Sequence, residues 1–389
     1  MKLAVKNGLL YTITHGIIAG GTVLMEDGKI VAVGTDVAIP EDSQVIDAAG
    51  QAVTPGLIDA HAHIGLFGEP SVPATADGNE KTGPVQSSLF GIDSLNPADP
   101  AFPQVLAAGV TTVYTGPGSS NIIGGTGMVI KTTGRTVGEM VIPGSEGMKM
   151  ALGENPKRNY RAMNRIPATR MGNAAVLRQA LVDAQNYQQK LDRAKEEGKP
   201  HSVDRNLGLE QLCKVLRREM KARIHCHRAD DIITAIRIAE EFNLDFVLEH
   251  ATEGYKVADI LAAKQVPCVV GPLLMGPSKH ELWEVRLDTP AVLAKAGVKV
   301  AIQMDTSSGT KWLPMVTGLA VRAGMEEEAA LRAITINPAE ILGLADRLGS
   351  IEVGKDADLA IFDGHPLCNF TTCQTVIVGG QVKYQHGQS

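Results

Sequence analysis

The chain has 389 residues, 44% of them hydrophobic and 21% charged, with 37 basic side chains against 43 acidic ones and a net charge of −6. That composition suits a folded chain long enough for a barrel of about 250 residues and a smaller module. It argues against a nucleic-acid surface, because acids elsewhere offset the basic group Arg217, Arg218, Lys221 and Arg223.

Neither a secretory signal nor an apolar run of about 18 residues able to span a bilayer stands out. The five cysteines, at positions 213, 226, 268, 368 and 373, follow no zinc-knuckle spacing. Their odd number and wide separation suit reduced thiols in a cytoplasm.

In chain order, residues 1–55 begin with short strand-like runs at 3–5, 9–13, 21–25 and 30–33. Turn signals such as Glu26-Asp27-Gly28-Lys29 divide them. The tail repeats this character at 357–362, 375–378 and 381–384, with Gly379-Gly380 between the last two runs. Neither end carries enough apolar surface to stand alone, so one composite β module from 1–55 and 350–389 is expected.

Between them, residues 56–349 alternate strand-like and helical segments. Parallel strands are expected to end near His61, Tyr114, Thr132, Met150, His225, His250, Gly271 and Asp305. Helices are expected over 174–196, 206–220, 229–241, 254–264 and 325–335. Eight strands with intervening helices argue for an α/β fold closed as a (β/α)8 barrel. A doubly wound sheet explains less well why polar side chains recur at successive strand ends. The long connection over 150–221 and the glycine-rich insertion over 64–100 are expected near the mouth.

The chemistry concentrates at those strand ends. In Val53-Thr-Pro-Gly-Leu-Ile-Asp-Ala-His61-Ala-His63, alternate side chains of an extended strand point the same way, so His61 and His63 can converge on one cation. His225, His250 and Asp305 follow further apolar runs and complete an imidazole and carboxylate set suited to a divalent transition metal, with Zn2+ favoured. Asp305 can bind metal and also exchange a proton with water, the two needs of hydrolysis. His227 is a candidate for substrate or for a supporting hydrogen bond. After the seventh strand, His280 is a candidate donor to an oxyanion and Lys279 a candidate receptor for a substrate carboxylate. Arg170 and Arg228 are further candidates for acid groups. The glycines of 116–127 match neither a dinucleotide nor a P-loop motif.

The sequence resembles the amidohydrolase superfamily, and most closely its imidazolonepropionase-like and metal-dependent prolidase-like branch. Val53 to His63 carries the resemblance, with Ala107-Ala-Gly-Val-Thr-Thr-Val-Tyr, the two later histidines, Asp305, and the tails starting at Ala330 and Gly349. The resemblance implies a distorted eight-stranded barrel with a small β-sandwich built from both ends. It implies one or two divalent metals and hydrolysis of a C–N bond in a small molecule, such as a cyclic amide. A dipeptidase, a heterocycle deaminase and a non-catalytic metal-binding relative are the alternatives. It also implies a ligand role for Lys149, N-carboxylated and bridging two metals, with Glu146 as the neighbouring alternative. Homo-oligomers are compatible with this architecture.

Overall fold

The computed structural model describes residues 2–199 and 201–387. Met1, Gln388 and Ser389, the outermost positions of the expected composite module, lie outside the described residues.

The terminal segments form one sheet. Its strands are β1 (Lys2–Tyr11), β2 (Ile17–Glu26), β3 (Lys29–Gly34), β4 (Gln44–Asp47) and β5 (Ala52–Pro55). From the far end of the chain come β14 (Leu359–Phe362), β15 (Cys373–Val378) and β16 (Gln381–Gln385). The order is β16-β15-β14-β5-β1-β2-β3, with β4 also paired to β1. Residue Ala360 lies opposite Thr54, so the two chain ends are zipped together in antiparallel register. Alternate side chains of these strands, including Val5, Val23, Val53, Leu359, Ile361 and Ile377, share one apolar cluster. The turn signals act as expected. Asp27 and Gly28 have φ of 48° and 79°, and Gly379 and Gly380 have 56° and 72°, the left-handed pair that tight hairpins require.

The intervening chain builds a second eight-stranded sheet in sequence order. Its strands are β6 (Leu57–Ala62), β7 (Val110–Thr115), β8 (Ile123–Lys131), β9 (Gly147–Ala151), β10 (Lys221–Cys226), β11 (Phe246–His250), β12 (Cys268–Val270) and β13 (Val300–Ile302). Helices cover it, the longest being Arg170–Glu196. All barrel neighbours run parallel except at β8, which is antiparallel to both β7 and β9. This corrects the expectation of a parallel strand ending at Thr132. Only residues 116–122 separate β7 from β8, whereas a parallel return needs a crossover of a dozen or more residues. The strand therefore reverses, and the 116–122 turn before it, rather than its far end, meets the site through Gly116 O and His63.

Among the described residues no ladder joins β13 to β6. The seam is closed instead by single bonds. Asp305 N–H donates to His61 O at 3.2 Å, and His63 N–H donates to Thr306 O at 3.4 Å. Buried Asp59 spans the same seam, accepting from His61 N–H at 3.0 Å and from Met304 N–H at 3.3 Å.

Candidate active site

β6 delivers His61 from within the strand and His63 just beyond it, while β11 ends on His250. Asp305 lies three residues past β13. His250 and Asp305 have φ of 71° and 60°, a left-handed backbone that is uncommon outside glycine. Two such positions side by side mark a place where geometry is held against local preference.

Two rings have hydrogen-bond partners that fix their orientation, and the third faces a carboxylate. His63 Nδ1–H donates to Gly116 O at 2.7 Å, and His250 Nδ1–H donates to Gly271 O at 2.8 Å. His61 Nδ1 lies 2.9 Å from Glu249 Oε2. The three Nε2 atoms consequently face one oxygen, Asp305 Oδ1, at 3.0 Å from His61, 3.2 Å from His63 and 4.0 Å from His250. Without a cation, the two shorter contacts need a second proton on each ring to avoid lone pair meeting lone pair. A divalent ion can take the place of those protons.

The donor set fits such an ion. His61, His63 and Asp305 form one trio, and His225, His227 and His250 a second; within each trio one ligand atom per residue lies within 4.8 Å of the others. His250 Nε2 and His225 Nδ1 are buried without a hydrogen-bond partner among the described residues, a state that usually signals a missing ligand. Burial keeps these rings neutral: it pushes His250 down to about 3 and, with the neighbouring His250, pulls His225 and His227 well below the usual histidine value. Neutral imidazole is the form that coordinates metal. Burial would raise Asp305, but His250 and the bonds from His61 and His63 hold it well below the carboxylate range.

Beneath the rings sits a buried ionic hub. Glu249 receives Lys149 Nζ at 2.6 Å on one oxygen and Arg223 Nε at 2.7 Å on the other. The Arg223 guanidinium also bonds Ala60 O and stacks over Tyr114, 3.7 Å from its ring centre. Burial disfavours the Glu249 charge, yet His61, Lys149 and Arg223 together hold its pKa well below normal. A carboxylate gripping the outer nitrogen of a ligand histidine fixes both tautomer and direction. Glu249 has no role in the sequence reading, and Arg223, expected with Arg217, Arg218 and Lys221 in a solvated basic helix end, is instead buried within β10. The signal was present, since an acid adjoins His250 and a basic residue sits inside an apolar strand.

The rings open into a cavity of about 920 Å³, whose lining includes His63, His225, His227, Asn155, Lys279 and Asp305. Lys279 Nζ lies 2.6 Å from Glu281 Oε1, 3.0 Å from Asn155 Oδ1 and 3.2 Å from His227 Nε2. Its charge is therefore already matched. His227 Nδ1 meets Thr252 Oγ1 at 2.7 Å, leaving Nε2 toward the cavity. Gly153, with φ of 84°, lets the chain pass close to Glu281; a Cβ there would come within 2.7 Å of Oε2. The Glu154–Ala162 helix that follows supplies Asn155; it lies in the 150–221 connection ahead of position 174, where the first helix of that connection is expected.

Other expected residues lie elsewhere. Glu146 is exposed before the first residue of β9, whereas Lys149 is buried in that strand. His280 is exposed and lines a neighbouring surface cleft with Arg170 and Arg228, outside the catalytic cavity. Arg170 grips Asp231 with both Nε and Nη2 at 3.0 Å. His280 is thus not placed as a donor to the reacting carbonyl, and Arg170, expected to receive acid groups, is engaged by Asp231.

A model of the amidohydrolase family matches residues 52–383. The chain belongs to that family. It is similar to a crystal structure of an amidohydrolase from Thermotoga maritima MSB8, at 43% identity and a TM-score of 0.95, covering 98% of this chain and all of that one. Amidohydrolase tasK of Hapsidospora irregularis is 28% identical over 373 residues, which are 89% of this chain and 38% of that protein. The chain thus spans little more than a third of that relative. An imidazolonepropionase of Sphingopyxis alaskensis is 26% identical over 383 residues, covering 90% of this chain and 87% of that one. These relatives support the imidazolonepropionase-like branch, and the reaction class of the family is metal-dependent hydrolysis of C–N bonds.

Proposed function

We propose that the chain hydrolyses a C–N bond in a small polar molecule, most simply a cyclic amide, with one or two divalent ions, Zn2+ first among them. The observation that carries this is the convergence of three histidine Nε2 atoms on Asp305 Oδ1 at the base of a polar cavity. His61, His63, His250 and Asp305 would hold one ion; His225 and His227, with His250 between the two sets, would serve a second. A bound divalent ion supplies acidified water and a polarised carbonyl.

The chain's own groups do the rest. Asp305, kept anionic, accepts a proton at a carboxylate oxygen and returns it to the departing nitrogen. Glu249 and Gly116 O keep His61 and His63 aimed. Asn155, His227 and Lys279 face the substrate side. Lys149 enters as an N-carboxylated bridge only if its 2.6 Å pairing with Glu249 is given up, and His227 becomes a third neutral donor only if Lys279 releases its Nε2. The test is a panel of cyclic amides and dipeptides offered to metal-loaded protein. Ring-opened acid supports the reading, dipeptide cleavage moves it to the dipeptidase alternative, and ammonia released with the ring intact to a deaminase. No turnover across the panel by fully metallated protein overturns it.

A further inference from the structure

Beside the catalytic cavity lies a second cleft, of about 760 Å³, whose lining is almost wholly basic: Lys157, Arg158, Arg161, Arg170, Arg228 and His280. Three of these come from one face of the Glu154–Ala162 helix, at spacings of three and four residues. Arg170 is the first residue of the 27-residue helix Arg170–Glu196, whose positive end adds to the same field; Arg228 sits just before Ala229–Glu241, whose first turn carries the acids Asp230 and Asp231.

Pairing inside the cleft is uneven. Arg170 is matched by Asp231 at 3.0 Å and Arg228 by Asp230 at 2.9 Å. Lys157, Arg158 and Arg161 meet no carboxylate among the described residues, and Glu154 is the one acid in the lining. The chain has acids to spare and pairs exposed arginines elsewhere, as in Arg178–Glu241, Arg205–Glu210 and Arg286–Asp288. Three unmatched cations gathered in one concavity raise the local concentration of anions. The cleft adjoins the catalytic cavity, since Arg158 and Ala162 line both.

We propose that this cleft is a subsite for the multiply charged anionic end of the substrate, carboxylate or phosphoryl in chemistry, lying outside the cavity where the C–N bond is broken. The assignment rests on the hydrolase reading above for its orientation. The binding of an oligoanion does not, so the two can fail separately. Arg158 stands at the junction and would meet the part of the ligand that crosses between the compartments. Lys157 and Arg161 would hold its far end.

The probe is 1,3-propanedisulfonate, which carries two charges and chelates metal poorly, titrated calorimetrically into the metal-loaded protein. The test variant is Lys157→Ala with Arg161→Ala. Both side chains are at least partly exposed on a helix that tolerates alanine, and neither belongs to the catalytic set. Binding to the parent protein should weaken steeply between low and high salt, and the double variant should bind at least tenfold more weakly. Absence of binding to the parent, or equal binding by the double variant, overturns the subsite. A second arm compares kcat/KM for the cyclic amide turned over in that panel, extended by two glutamates, with its glutamine counterpart. Preference for the glutamate form, lost in the double variant with hydrolysis of the neutral form unchanged, supports a substrate tail. Tight, variant-sensitive disulfonate binding without that preference overturns the substrate assignment in favour of a separate anionic effector.

Discussion

The mouth of the barrel and the terminal sheet obey different rules. In the sheet, β1 is buried along most of its length and sends Leu3, Val5 and Leu10 into the same dry cluster as Val53, Leu359 and Ile361, while the hairpin turns use residues suited to positive φ. At the mouth, His250 and Asp305 hold unfavourable backbone angles, neutral imidazoles crowd together, and Glu249, Lys149 and Arg223 are charged yet buried. Apolar burial gives the sheet its stability directly. The mouth is stable only as a set, because each buried charge depends on its partners. The sheet has local conflicts of its own, at Ile13 with φ of 77° and at buried Asp358, but at the mouth they gather around one cavity, where chemistry is expected.

That contrast is open to attack from both sides. The largest effect is expected from replacing His61 and His63 together with alanine: metal content by elemental analysis should collapse and turnover fall to background. Retained metal-dependent turnover would sink the ligand assignment. Asp305→Asn should lower kcat by about 10²–10⁴-fold, the scale of a lost acid–base group, in protein shown to be folded and metallated. A near-parental rate removes Asp305 from proton transfer.

Glu249→Gln probes the hub. Leaving Lys149 and Arg223 without their anion should destabilise the protein by about 3–5 kcal/mol in denaturant titrations. It should also weaken metal binding by roughly 10–100-fold, the range for a lost orienting partner. Unchanged values on both counts would mean that the hub is ornamental. In the sheet, Ile361→Ala should cost about 2–5 kcal/mol of stability while kcat and metal content of the folded enzyme stay put. A parallel loss of activity would erase the distinction between the regions.

The smallest effect concerns acid. Burial works against the Asp356 charge, but Lys29 at 2.7 Å, Lys131 and Arg347 outweigh it and hold its pKa below the usual value. A depressed folded-state pKa means stability present above the ordinary carboxylate range and lost as pH falls through the folded value. Asp356→Asn should therefore remove about 1–3 kcal/mol at neutral pH and flatten the acid limb of the stability profile. An unaltered limb would show that other carboxylates set it.

Much of this was readable from the chain because it depends on neighbours in sequence. Glu26-Asp27-Gly28-Lys29 announces a hairpin, and His61-Ala-His63 at the end of an apolar strand announces two rings on one side. What was hidden depends on distant partners. The reversal of β8 follows from a connection too short to cross the barrel, yet the glycines of 116–127 look like any flexible loop. The resemblance implies Lys149 as a metal bridge, and its pairing with Glu249, 2.6 Å away, depends on a partner 100 residues on. His280 reads as active-site equipment because it follows β12, but the 3-10 turn His280–Leu282 turns it onto the basic cleft. The Glu154–Ala162 helix escaped notice because its apolar stripe is short and its other face is charged.

The bond from Asp305 N–H to His61 O joins the first barrel strand to the last across some 240 positions of chain. Closing the ring and assembling the ligand trio are thus a single event. A nascent chain lacking its eighth strand would hold His61 and His63 but no acid between them. An ion seated there would act as a clasp on the seam, so hydrogen exchange at His61–His63 and Met304–Thr306 should slow together when it is loaded.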